Sequence, residues 1–339
     1  MKKVLLVGIG LAVTWFGCGD KNTPPNPVAP TNLNVTAVVA TDNSGNVQFT
    51  ATANNAVNYD FDFGNGIFQS SASGSLTYRY PNSGTYSVNV IAKSSGGLST
   101  SKTTSVTVTV VQSMVWSDEF DSPGAPNSAK WGYDIGAGGW GNNELQYYTN
   151  RLDNAVVSNG TLKIIAKAES FSGSNYTSAR LLSRTKFSFK YGKIEVSAKM
   201  PVGIGTWPAI WMMGDNLPTV GWPACGEIDV MEHRGNDPNR IHGTVHYPGF
   251  SGGNGVTATT VIQQAATAFH LYSCEWTPQS IKFYVDGNLY HTVANTSSLP
   301  FNQNFFILLN QAMGGNFGGA IDPAFSTSTL EIDYVRVYQ

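Results

Sequence analysis

Short runs of alternating apolar and polar residues recur along most of this chain, and they restrict what it can fold into more than any other feature. In the C-terminal two thirds they include Thr161-Leu-Lys-Ile-Ile-Ala-Lys167, Lys193-Ile-Glu-Val-Ser-Ala-Lys199 and Ile281-Lys-Phe-Tyr-Val-Asp286. A period of two places alternate side chains on opposite faces of a strand, so each run offers one face to a core and the other to water. No long stretch with helical period competes. The expectation is an all-β protein of packed antiparallel sheets.

The run with the most chemistry is Trp222-Pro-Ala-Cys-Gly-Glu-Ile-Asp-Val-Met-Glu-His-Arg-Gly235. Glu227 and Asp229 share one face of a strand, with Ile228 and Val230 on the other. Strict alternation would turn Glu232 away from the two acids. One bulged residue at Val230 or Met231 reverses the parity and aligns Glu232 with them. Three crowded carboxylates raise one another's pKa values, a cost to a structural strand and an advantage for proton transfer. Two carboxylates in fixed register are what glycoside cleavage needs, and Glu227 and Glu232 suit the pair. On a straight strand their Cα atoms would lie roughly 13 Å apart, at about 3.3 Å per residue, so the side chains must lean together. Carboxyl groups about 5–5.5 Å apart would mean retention and about 6.5–9.5 Å inversion, a choice the spacing leaves open. Asp229, between them, is placed to hydrogen-bond one Glu.

This segment resembles the active-site strand of glycoside hydrolase family 16, in its bulged, laminarinase-like branch. The similarity extends through Gly139-Trp-Gly-Asn-Asn-Glu-Leu-Gln-Tyr-Tyr-Thr149, Gly205-Thr-Trp-Pro-Ala-Ile-Trp211, Phe269-His-Leu-Tyr-Ser-Cys-Glu-Trp276 and Asn310-Gln-Ala-Met-Gly-Gly-Asn316, in the expected order. It implies a β-jelly-roll sandwich and retaining endo-cleavage of a β-1,3-glucan such as laminarin. Glu227 would be the nucleophile, Glu232 the acid/base and Asp229 the helper. Mixed-linkage β-glucan, a marine galactan, or a non-catalytic glucan-binding role are the alternatives. No catalytic cofactor is implied. A structural calcium is, at the positions of Glu119, Gly160 and Asp333, two of them through backbone carbonyls; calcium prefers such hard oxygen ligands.

A glucan presents flat apolar ring faces edged by hydroxyls, so its cleft needs aromatic platforms and multivalent polar groups. Trp140, in a Gly-rich loop with little local core, and Trp207 and Trp211, which share strand parity, are the platform candidates. Asn142, Asn143 and Arg180 are the polar candidates, in segments that line the groove in the family, with Glu144 beside the Asn pair. His246 shares parity with His242 and Thr244 on what reads as the next strand, and the resemblance puts it near the acid/base.

The chain has 339 residues, enough for two domains, and 22 acids against 20 bases. The net charge of −2 leaves no footprint for nucleic acid or a polybasic membrane surface. Three cysteines, Cys18, Cys225 and Cys274, make neither a disulfide framework nor a paired metal-ligand spacing, and the last two read as buried thiols. Lys2-Lys3 and the apolar run from Val4 to Val13 read as an export signal, too short to span a bilayer. It ends at Phe16-Gly17-Cys18, which is similar to a lipoprotein cleavage site. The expectation is a 1–18 signal and lipidation of Cys18, anchoring the protein by acyl chains at a bacterial outer membrane, or else plain secretion. Residues 19–31 are Pro-rich and read as a stalk. Residues 32–111 alternate like a small Ig-like β-sandwich, and Asn58-Tyr-Asp-Phe-Asp-Phe-Gly-Asn-Gly66 with Tyr78-Arg-Tyr-Pro-Asn-Ser-Gly-Thr-Tyr-Ser-Val88 is similar to the polycystic-kidney-disease-type module. Its aromatics are expected in its core. Residues 113–339 are expected to form the catalytic jelly roll.

Overall fold

The computed structural model describes residues 27–339; the export signal, Cys18 and most of the Pro-rich stalk lie outside the described residues. Strand dominates. Among the described residues helix is limited to single turns such as Leu217–Val220 and Gly315–Gly318. Two compact units divide the chain. One holds the described residues up to 38 with 48–77 and 86–106, and the other holds 39–47, 78–85 and 107–339.

Between residues 31 and 108 the strands form one sheet of three and one of four. Phe49, Phe61 and Phe63 are fully buried there, with ring centroids 5.5 to 6.2 Å apart. These aromatics are therefore core, as the alternation predicts: Phe61 and Phe63, two residues apart, share one face, and Phe49 meets them from a strand of the other sheet.

The larger unit is a sandwich of two antiparallel-dominated sheets. Seven strands carry the functional face: β1 (Gly132–Asp134), β2 (Arg180–Leu182), β3 (Thr206–Gly214), β4 (Glu227–His233), β5 (Arg240–His246), β6 (Val256–Val261) and β7 (Phe305–Met313). Their order across the sheet is β6-β5-β4-β3-β7-β2-β1. The opposing ten-stranded sheet contains the runs Thr161–Phe171, Gly192–Lys199, Ser280–Val285 and Thr327–Tyr338. Ile228, Val230 and Met231 of the first sheet share one buried cluster with Ile194, Val196, Tyr272 and Phe283 of the second. Burial of these faces, at about 25 cal/mol per Å² of apolar surface, is the main force holding the layers together. Cys225, in the turn just before β4, and Cys274, on a strand of the opposing sheet, are free and buried.

Candidate active site

Strand β4 alternates as its sequence requires for three residues and then breaks step. Against β5, Glu227 pairs with His246, Ile228 with Val245 and Asp229 with Thr244, but Glu232 pairs with His242. Val230 and Met231 thus oppose the single residue Gly243, which is the expected bulge. Both side chains point into the core, 1% and 0% exposed. Glu232 is thereby returned to the face of Glu227 and Asp229, and all three line a cleft of about 630 Å³. Gly243 is what the bulge packs on. A Cβ there would lie 2.4 Å from Tyr290 Oη and 3.0 Å from the Phe283 ring.

Each acid has its own partner. Trp222 Nε1 donates to Glu227 Oε2 at 2.7 Å, and Trp207 Nε1 donates to Glu232 Oε1 at 3.0 Å. Asp229 is 3% exposed, and its Oδ2 lies 3.2 Å from His246 Nε2. Burial, and then the charge of Asp229, push the Glu227 carboxyl up to about 8. Burial raises Glu232, and Asp229 is raised well above the usual range by burial and the charge of Glu232. Such a trio cannot carry three charges near neutrality.

Away from the acids, the Arg180 guanidinium sits between the rings of Trp140 and Trp211, 5.0 and 4.7 Å from their centroids, with Nε 2.9 Å from Asp134. Trp211 Nε1 donates to Asn310 Oδ1, Asn310 Nδ2 to Tyr148 Oη, and Tyr148 Oη to Glu144 Oε2, at 2.8, 2.9 and 3.0 Å. Glu144 is buried and also accepts from Gln146 and Asn142. Burial raises its pKa. This chain of bonds fixes the Trp211 ring, and the Arg180 guanidinium packs on both indoles.

Of the residues singled out from sequence, Trp140, Asn142, Arg180, Trp207, Trp211, His246 and the three acids line the cleft. Asn143 does not. It is exposed in the left-handed region at φ 57, and its amide donates to Asn316. His246 stands opposite Glu227 in the ladder and is also near enough to Glu232 to act on it electrostatically, while His242 is the residue paired with Glu232. Trp222, His242, Thr244, Asn310 and Phe317 also line the cleft. The shared parity of His242 with His246 was a signal for the first of the histidines, but nothing local marked Phe317. Folding also brings ligand atoms of Glu227, Asp229 and His246 within 4.8 Å of one another, the one group among the described residues with metal-like spacing.

The sequence and this geometry can be set against known proteins. The model of glycosyl hydrolases family 16 matches residues 142–336, and that of the PKD domain matches residues 22–110. A curated beta-glucanase of Rhodothermus marinus is 46% identical over 243 residues, 67% of this chain and 85% of that protein. The crystal structure of the laminarinase from the same organism superposes with a TM-score of 0.65 at 46% identity, over 68% of this chain and 98% of that one. A beta-1,3-glucan-binding protein of Penaeus monodon is 32% identical over 60% of this chain and 75% of its own. The bulged strand and its acids fall inside the matched segment, and by that match the chain belongs to glycosyl hydrolases family 16.

Proposed function

We propose that the protein is a retaining endo-β-1,3-glucanase acting on laminarin-type glucans. The observation that carries this reading is the bulge of β4, which sets Glu232 beside Glu227 in a cleft walled by Trp140, Trp207 and Trp211. The resemblance to laminarinases supports the linkage.

Glu232, kept protonated by burial, gives its proton to the glycosidic oxygen as the bond to the anomeric carbon breaks. A Glu227 oxygen attacks that carbon and forms a glycosyl ester. Glu232, now a carboxylate, then takes a proton from the water that displaces Glu227. The nucleophile must be ionised, and Asp229 makes that possible by being the more reluctant of the two to hold charge. With the shared proton on Asp229, Glu227 carries the negative charge and keeps its bond from Trp222. Asp229→Asn leaves Glu227 beside a side chain that is neutral at every pH, so the part of the acidic limb of the pH–rate profile set by the Asp229 charge should move to lower pH. An unmoved limb would show that Asp229 does not set the charge of the nucleophile.

Release of reducing ends from laminarin, mixed-linkage glucan, agarose and carrageenan, measured side by side, tests the reading. Preference for laminarin is expected. Cleavage of a galactan instead would reassign the substrate, and binding without release from any polymer would favour a glucan-binding role like that named for the Penaeus relative.

The family's hydrolysis needs no catalytic cofactor. We propose in addition a structural calcium held by the backbone carbonyls of Glu119 and Gly160 and the carboxylate of Asp333. Asp333 sits at a register slip beside Ser197 and Ala198, where the ladder skips it. Glu119 fits through its carbonyl alone, because both its carboxylate oxygens are taken by Arg336. EDTA should lower the melting temperature and added calcium restore it; an unchanged melt removes the ion from the account.

Lipid anchoring through Cys18 is proposed from the sequence alone. Cys18→Ser should move the protein from the membrane fraction to the soluble fraction, and an unchanged distribution would indicate plain secretion.

A further inference from the structure

We infer that Glu227, Asp229 and His246 form an inhibitory binding site for a borderline divalent cation, with Zn²⁺ as its representative, directly on the catalytic face. Their three ligand atoms lie within 4.8 Å of one another. The closest pair, Asp229 Oδ2 and His246 Nε2, is separated by 3.2 Å. Ligands roughly 2.0–2.2 Å from a tetrahedral zinc stand about 3.3–3.5 Å apart, so this pair is already at bridging distance.

A second feature is a hydrogen-bonding need that this pair leaves unmet. Asp229 is 97% buried by its 3% exposure, yet its Oδ2 accepts no hydrogen bond. His246 Nε2, 3.2 Å away, is its ion-pair partner. A buried acid oxygen without a hydrogen bond is costly, and a cation between Oδ2 and Nε2, displacing the proton of the acid to solvent, would satisfy both atoms at once. The imidazole is held for this. Gly255 packs so tightly on it that a Cβ there would lie 2.4 Å from Cε1 and 2.6 Å from Nδ1. Strand pairing fixes the other two ligands, since Glu227 faces His246 across the β4–β5 ladder.

The donor set selects the ion. One imidazole nitrogen and two carboxylates suit zinc or copper, whereas calcium and magnesium want six or more oxygens. Three protein ligands leave the fourth position open towards the cleft for water. The bound ion would engage the nucleophile and fill the space of the sugar at the cleavage point, so it competes with substrate. This use of the site goes beyond hydrolysis; only the inhibition readout rests on the hydrolase reading.

The test uses the full chain freed of metal with EDTA and dialysed. Laminarin hydrolysis is followed against ZnCl₂, MgCl₂ and CaCl₂, for wild type and His246→Gln, each normalised to its own metal-free rate. Calorimetry with ZnCl₂ is run on both proteins. The expected result is zinc inhibition that is competitive, reversed by EDTA and not reproduced by magnesium or calcium, with one Zn²⁺ bound per chain. Removing one ligand should raise the half-inhibiting concentration and the dissociation constant by about tenfold or more. Equal zinc sensitivity of His246→Gln, equal potency of magnesium, or no one-to-one zinc binding would each overturn the inference. Should the wild type cleave no glucan at all, the hydrolase reading fails, and calorimetry still decides the metal site.

Discussion

Glu227→Gln is expected to hydrolyse laminarin at least ~10³-fold more slowly than the wild type, and to be more stable than it at neutral pH. The amide has nearly the shape of the acid and keeps an oxygen to accept from Trp222, but it cannot attack the anomeric carbon. The stability gain follows from the raised pKa. A carboxyl that titrates at about 8 in the fold and near ~4.3 when unfolded is progressively unfavourable to folding as pH rises between those values. Glutamine removes that cost. Allowing for the partial exposure of Glu227 to the cleft, a gain of about 2 kcal/mol, or roughly 4–8 °C in melting temperature, is expected at pH 7. Glu232→Gln should also lose activity, but less on substrates with acidic leaving groups, which depart without a proton. Comparing kcat on laminarin and on aryl laminaribiosides separates the two roles. Near-normal turnover by Glu227→Gln would sink the assignment, and an unchanged melt would show that the acids are not strained by one another.

The second large effect is expected at a residue that touches no sugar. Gly243→Ala should destabilise the larger unit by about 2–3 kcal/mol, the usual cost of forcing atoms into a filled core. The added methyl would meet Tyr290 Oη at 2.4 Å and the Phe283 ring at 3.0 Å. Because Gly243 is the lone partner of Val230 and Met231, relief of the clash by shifting β5 would also move Glu232. Activity should therefore fall together with stability. Tyr290→Phe deletes the nearest clashing atom, so the double variant should recover part of the loss, a coupling that urea melts of the four proteins measure. Equal midpoints for wild type and Gly243→Ala would refute the packing argument.

Much of the site was legible along the chain because strands have a strict period. Glu227, Asp229 and Glu232 can share a face only with a bulge, and Val230-Met231, two apolar residues in succession, mark where it must fall. Trp207 and Trp211 were recognisable by the same parity. What failed to show was whatever depends on neighbours distant in sequence. Asn143 has the composition of a ligand-binding loop, yet the left-handed backbone at that turn directs its amide to Asn316. The pairing of His246 with Glu227 and His242 with Glu232 is set by strand register, which two histidines on one face do not reveal. Phe317 reaches the cleft through a single helical turn after β7 and meets Trp207 at 5.3 Å, a contact with no local signature.

The arginine held between two indoles bears on the thermodynamics of ligand capture. Arg180 packs on both Trp140 and Trp211, and a relay of bonds ending at a buried acid holds Trp211, before any polymer arrives. Their rotamer freedom was given up when the chain folded, so a saccharide bound as proposed would have little left to order on that wall. The penalty that remains is the stiffening of the glucan itself, and longer, more regular chains would meet a surface already shaped for them.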